Sequence, residues 1–184
     1  MKKKVAVLLA DGFEEIEAVT CIDIIRRADQ DVKIVGIGGT VIKGSHGIRI
    51  NTDIEIDSYN DLPDAVILPG GMPGVQNLFK AAAVISLVKE VHKKGNIVAA
   101  ICAAPAYVLA PMGILEGKKA TCYLGCEEML GKKATYVDRD VVVDGNIITS
   151  KGPATAMAFA LRIIDLLCSK KVTDPIREKL LYEK

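Results

Sequence analysis

The chain has 184 residues, half of them hydrophobic, with no Trp and a formal net charge of +1 from 24 basic and 23 acidic residues. That length fits a single domain, residues 1–184, with a sizeable aliphatic core. The even charge balance excludes an electrostatic nucleic-acid binder, so no nucleic acid is expected as a stable partner.

In chain order, Lys4 to Leu9 is almost entirely apolar, as in a central parallel strand covered on both faces. Asp11-Gly12-Phe13 is the turn after it. Glu14 to Ala28 reads as a helix, acidic at its start and basic (Arg26, Arg27) at its end, which suits the helix dipole. Val32 to Ile37 is a second strand. Val41 to Ile56 alternates like strand around a Gly44-Ser45-His46-Gly47 bend, where His46 reads as a solvated turn residue. Ala65 to Leu68 is a short buried strand, followed by the turn Pro69 to Gly74. Ala81 to Lys94 is an amphipathic helix carrying His92 near its end, and Gly95 stops it. A strand from Asn96 runs into Cys102 and a helix continues to Met112. Ala120 to Tyr123 reads as strand and Glu127 to Leu130 as a helical turn. Val141 to Thr149 reads as a hairpin with a type I′ turn at Asp144-Gly145. Gly152 to Thr155 opens the last long helix, Ala156 to Cys168, and a charged amphipathic piece follows from Val172. The alternation predicts an α/β, flavodoxin-like, doubly wound and mainly parallel sheet with helices on both faces.

Ile97 to Leu115 carries no charge. Pro105, Pro111 and Gly113 argue against a membrane span there, so a buried strand and helix are expected. The cysteines are Cys21, Cys102, Cys122, Cys126 and Cys168. Their odd number and the lack of a secretory signal point to free thiols in a reducing cytoplasm. Cys122 and Cys126, with only His46 and His92 available, make a poor zinc set, so no metal is expected.

Two residues carry the chemistry. Cys102 sits between a strand and a helix amid Ala99, Ala100, Ala103, Ala104 and Ala106. Small neighbours are what a nucleophile elbow requires, with Cys in place of Ser, although a buried core Cys has the same look. At about 100° per residue, Ala18, Cys21, Ile22, Ile24, Ile25 and Ala28 form one apolar arc of the first helix. Glu17 falls inside that arc, Glu15 at its edge, and Glu14 in the first turn. A carboxyl on an apolar face needs a partner or a raised pKa, unless it caps its own helix. The Gly70-Gly71 turn lacks the Lys-Ser/Thr of a phosphate-binding loop and can instead bring backbone N–H groups close to a substrate. In a sheet of this type the Asp11, Gly70 and Cys102 turns all emerge at the carboxyl edge, where ligands bind.

Four segments then occur in order: Gly12 to Glu17 (GFEEIE), Leu68 to Gly71 (LPGG), Ala100 to Ala106 (AICAAPA) and Ser150 to Thr155 (SKGPAT). Together they resemble the ThiJ/PfpI superfamily, in the branch that contains the Parkinson-disease-associated deglycase-like protein. The resemblance implies that Cys102 is the reactive cysteine and that Glu17 hydrogen-bonds its sulfur. The N–H groups of Gly71 and Ala103 would form the oxyanion site, with Gly70, Tyr123 and Cys122 as neighbours. It implies no cofactor, a homodimer, and chemistry on small 2-oxoaldehydes such as methylglyoxal, or on glycated adducts. An oxidative-stress sensor or chaperone reading out Cys102 oxidation is the alternative. A peptidase or amidase fits less well, because such members carry His after the nucleophile and this chain has Ala103. The position that holds a nearby His in human-type members corresponds here to Tyr123. A helix dipole at Cys102 predicts a lowered thiol pKa, and burial predicts a raised one for Glu17. Cys122 reads either as a second thiol near the site or, with Cys126, as an ordinary core and turn residue.

Overall fold

The computed structural model describes residues 1–132 and 134–182. Its centre is a seven-stranded sheet. The strands and helices in chain order are β1 (Lys4–Ala10), α1 (Glu15–Arg27), β2 (Asp31–Ile37), β3 (Val41–Lys43), β4 (Arg49–Asn51), β5 (Ile54–Glu55) and β6 (Ala65–Leu68). There follow α2 (Gly74–Lys80), α3 (Ala82–Lys93), β7 (Ile97–Ile101), β8 (Lys119–Ala120), β9 (Thr135–Tyr136), β10 (Val141–Asp144), β11 (Ile147–Ser150), α4 (Ala156–Leu167) and α5 (Lys170–Lys179). The sheet order is β10-β11-β7-β6-β1-β2-β5, and only the β10–β11 pair is antiparallel. Without the edge strands β10 and β5 this is the 2-1-3-4-5 order of a flavodoxin-like sheet.

Consecutive residues of β1, β6 and β7 are buried whichever way they point. Helices therefore cover both faces, which is why these strands read as unbroken apolar runs. On α1 the buried residues are Glu15, Glu17, Ala18, Cys21, Ile22, Ile24 and Ile25, the arc expected from 3.6-residue periodicity. α1 packs against α4, whose buried stripe is Ala156, Phe159, Ala160, Leu161, Ile163 and Ile164. None of the helices among the described residues is long and apolar enough to cross a membrane.

Several local expectations change. The Val41–Ile56 stretch splits into a separate two-stranded hairpin, β3–β4, and a short edge strand, β5. The helix after Cys102 is not a regular one reaching Met112. Pro105–Leu109 is a widened turn in which the Ala110 N–H donates to the Pro105 carbonyl at 2.9 Å. Such i→i+5 turns cluster at functional sites. The expected Ala120–Tyr123 strand is only Lys119–Ala120, paired parallel to β9. The β10–β11 loop is Gly145-Asn146, one residue later than expected. Only Gly145 has a positive φ, 63°, a pattern of type II′ rather than I′. Asn146 is held otherwise: its side-chain amide donates to the Asn96 carbonyl at 2.7 Å, and its own carbonyl accepts the Val98 N–H at 2.9 Å.

Candidate active site

The carboxyl ends of β1, β6, β7 and β11 bring four turns together. Cys102 follows β7 with φ +64°, a left-handed conformation that β-carbon crowding makes rare outside Gly, Asn and Asp. Two backbone bonds hold it there. The Cys102 N–H donates to the Ser150 carbonyl at 2.9 Å, and the Tyr123 N–H donates to the Cys102 carbonyl at 2.8 Å. A strained residue pinned from both sides is the signature of a nucleophile elbow. Cys102 is 8% exposed, enough for a small electrophile to reach it and too little for a bulky one.

Glu17 is fully buried. Its Oε2 accepts the Gly70 N–H at 2.7 Å, and the carboxyl also interacts with the Cys102 thiol. Its Oε1 has no other hydrogen-bond partner. Burial raises the Glu17 carboxyl to about 7, against the pull of the Gly70 N–H and the thiol. The orphaned oxygen suits that proton, because protonation turns an unsatisfied acceptor into a donor.

The expected lowering of the thiol does not hold. Burial and the Glu17 carboxylate push Cys102 up, and the N–H groups of Ala103 and Gly71 only partly offset them. The helix-dipole reading considered one element alone. Here the nearest charge is a carboxylate from another helix, in a site too dry to screen it. The pair therefore titrates as a unit, and loss of its first proton is tied to a Glu17 value near neutrality. The two N–H groups expected to bind an oxyanion, those of Gly71 and Ala103, both hydrogen-bond the Cys102 sulfur.

Gly70 has no room for a side chain. A Cβ there would lie 2.5 Å from Cys102 Cβ, 2.9 Å from its Sγ and 3.0 Å from Glu17 Oε2. Gly71, at φ +92°, has its backbone against the first turn, where an added Cβ would lie 2.4 Å from the Gly12 carbonyl oxygen. The Glu14 N–H donates to the Gly70 carbonyl at 2.9 Å, locking α1 to this turn.

Of the other expected neighbours, Tyr123 contributes its backbone N–H, while its side chain is half-exposed beside Gly152. Cys122 is buried, and burial pushes its thiol up to about 12, so it is not an activated second thiol. On the far side of α1 the sequence reading missed a contact. Burial would raise Glu15, yet hydrogen bonds from the His46 side chain and from nearby backbone and Ser45 donors bring it to about 2. The His46 N–H donates to Glu15 Oε1 at 2.7 Å, and His46 Nδ1 lies 2.9 Å from Oε2. Gly44 was the available signal, since a Cβ there would lie 2.2 Å from Glu15 Oε1. Among the described residues, Glu14, Glu15 and His46 are the one trio with ligand atoms within 4.8 Å of each other. The oxygens of Glu15 are already engaged by His46 and Ser45.

Comparison with known proteins shows the family and the fold. The zebrafish (Danio rerio) Parkinson disease protein 7 homolog is 36% identical over 98% of this chain and 98% of its own length. The Caenorhabditis elegans glutathione-independent glyoxalase DJR-1.2 is 32% identical over 100% of this chain and 98% of its own length. A plant relative is longer, and this chain spans 39% of it. The crystal structure of Drosophila melanogaster DJ-1beta superposes with a TM-score of 0.96 at 37% identity, covering 100% of both chains. The pattern of the DJ-1/PfpI family matches residues 3–166, and the chain belongs to that family.

Proposed function

We propose that this protein is a cofactor-independent glyoxalase that converts small 2-oxoaldehydes such as methylglyoxal to 2-hydroxy acids through Cys102 and Glu17. The observation that supports this reading is a fully buried carboxyl, raised to about 7, against the sulfur of a strained elbow cysteine. The relative named as a glutathione-independent glyoxalase supports the same reaction class.

In this mechanism the Glu17 carboxylate takes the Cys102 proton as the substrate arrives, leaving a transient thiolate steadied by the Ala103 and Gly71 N–H groups. The thiolate attacks the aldehyde carbon, and Glu17 protonates the new oxyanion to give a hemithioacetal. The N–H groups released by the now neutral sulfur turn to the hemithioacetal oxygen. Glu17, as carboxylate, removes the proton from the former aldehyde carbon and returns it to the neighbouring carbon, while the hemithioacetal hydroxyl proton passes to the neighbouring carbonyl oxygen. The first carbon is oxidised to a thioester and the second reduced to an alcohol, with no external oxidant. Water hydrolyses the thioester, releasing lactate and restoring the Cys–Glu pair.

The active form has lost one proton of the two. With Glu17 at about 7, kcat/KM for lactate formation without glutathione is expected to rise through about pH 7 and stay high in alkali. Lactate formation no faster than in buffer, or a rate that falls through pH 7, contradicts the proposal.

A further inference from the structure

One of the bonds that pin Cys102 has a support of its own. The Ser150 carbonyl accepts the Cys102 N–H at 2.9 Å. Ser150 is the last residue of β11, in register with Ile101 of β7. Ser150 is fully buried, and so is most of Thr155, where the chain turns into α4. Buried hydroxyls cost stability unless they are hydrogen-bonded. The Ser150 hydroxyl donates to the Asp140 carbonyl at 2.7 Å and lies 2.7 Å from Thr155 Oγ1. Thr155 Oγ1 in turn accepts the Gly152 N–H at 3.1 Å.

Each hydroxyl has a single proton, which sets the order of this chain. The Ser150 proton goes to Asp140, so the contact between the two hydroxyls takes its proton from Thr155. The Gly152 carbonyl, 2.9 Å from Thr155 Oγ1, is not left unpaired, because it already accepts the Thr155 N–H at 2.9 Å. Three bonds then run in one direction, from the Gly152 N–H through Thr155 and Ser150 to the Asp140 carbonyl, and bonds aligned in this way polarise one another. They join the approach to β10, the end of β11 and the start of α4 at the residue whose carbonyl holds the elbow. The groups that meet the Cys102 sulfur are Glu17 and the Ala103 and Gly71 N–H groups, so the two hydroxyls act on it only through that carbonyl. The tolerance there is small. A left-handed residue other than Gly persists only where its surroundings over-determine it. Cys102 and Glu17 also leave no room for one methyl group at Gly70.

We propose, given Cys102 as the reactive sulfur of the function proposed above, that Ser150 and Thr155 are positioning residues: their hydroxyl chain fixes the carbonyl that holds the elbow and so sets the sulfur against Glu17. Thr155→Val keeps the branched shape and deletes the hydroxyl, whereas Thr155→Ser keeps the hydroxyl. Alkylation of Cys102 by iodoacetamide, followed by mass spectrometry on the full chain from pH 5 to pH 10, reads the sulfur without turnover. In the wild type the rate is expected to rise with ionisation of Glu17, the base that takes the thiol proton. In Thr155→Val the sulfur no longer meets that base in register. The rise is expected to move up by at least about one pH unit and the rate at pH 7 to fall at least about tenfold. In lactate formation kcat is expected to fall at least about tenfold with KM within about twofold of wild type, and Thr155→Ser to restore kcat and the alkylation profile. Loosened packing alone would instead speed alkylation at pH 7. That result, a wild-type profile in folded Thr155→Val, or a Thr155→Ser profile that matches Thr155→Val overturns the proposal. Circular dichroism checks folding; should Thr155→Val fail to fold, Ser150→Ala removes the middle of the same chain and its alkylation profile decides in the same way. A wild type that forms no lactate sinks the glyoxalase reading alone, since the alkylation profiles still decide the positioning role.

Discussion

Glu17→Gln is expected to lower lactate formation by about 10²–10⁴-fold, the usual worth of a positioned general acid–base, while making the protein more stable above neutral pH. The two effects share one cause. Glu17 keeps its proton up to about 7 in the fold, against a model value of 4.5. Between those values the native state binds more protons than the unfolded chain, so stability falls as pH rises. Above about 7 the full penalty is in place, on the order of 3 kcal/mol. Gln is neutral at every pH, can still accept the Gly70 N–H and can still face the sulfur with a donor. Denaturant unfolding at pH 5 and pH 8, with lactate assays on the same samples, checks both halves. A variant that is inactive and also less stable at pH 8 would mean that the Glu17 carboxylate ionises in the fold without a burial penalty.

Gly70→Ala is expected to cost about 1–3 kcal/mol in stability and roughly 10²-fold in activity. The reason is space rather than backbone freedom. The added methyl would overlap Cys102 Cβ, at 2.5 Å, before it met any flexible atom. Cys102 cannot retreat, because its φ of +64° is held by bonds on both sides. Relief has to come from moving the Gly70 turn, which carries the N–H bound to Glu17 and adjoins the Gly71 N–H on the sulfur. Thermal unfolding and kcat/KM of the variant read the two costs. Wild-type activity in Gly70→Ala would show that close contact among the three residues is not required.

Much of this site was legible in the sequence because it rests on periodicity and residue size. Glu17 stood out by falling on the apolar arc of α1, and Cys102 by its ring of alanines. What stayed hidden depends on contacts between distant segments. The Glu15–His46 bond spans 31 positions and needs the β3–β4 hairpin to fold back onto α1. The widened turn at Pro105–Leu109 lies inside an uncharged run, where nothing polar marks a helix boundary. The direction of the Cys102 shift was misread because a helix dipole is visible in one segment, while the opposing carboxylate arrives from another.

The central claim is that the Cys102 sulfur forms the bond to substrate. Cys102→Ser keeps the size and the elbow but replaces a thiol with a hydroxyl that is not ionised near neutral pH. Lactate production from methylglyoxal by this variant, without glutathione and with folding verified, is expected to fall to the rate in buffer. Lactate production at the wild-type rate by the folded Cys102→Ser protein would contradict it.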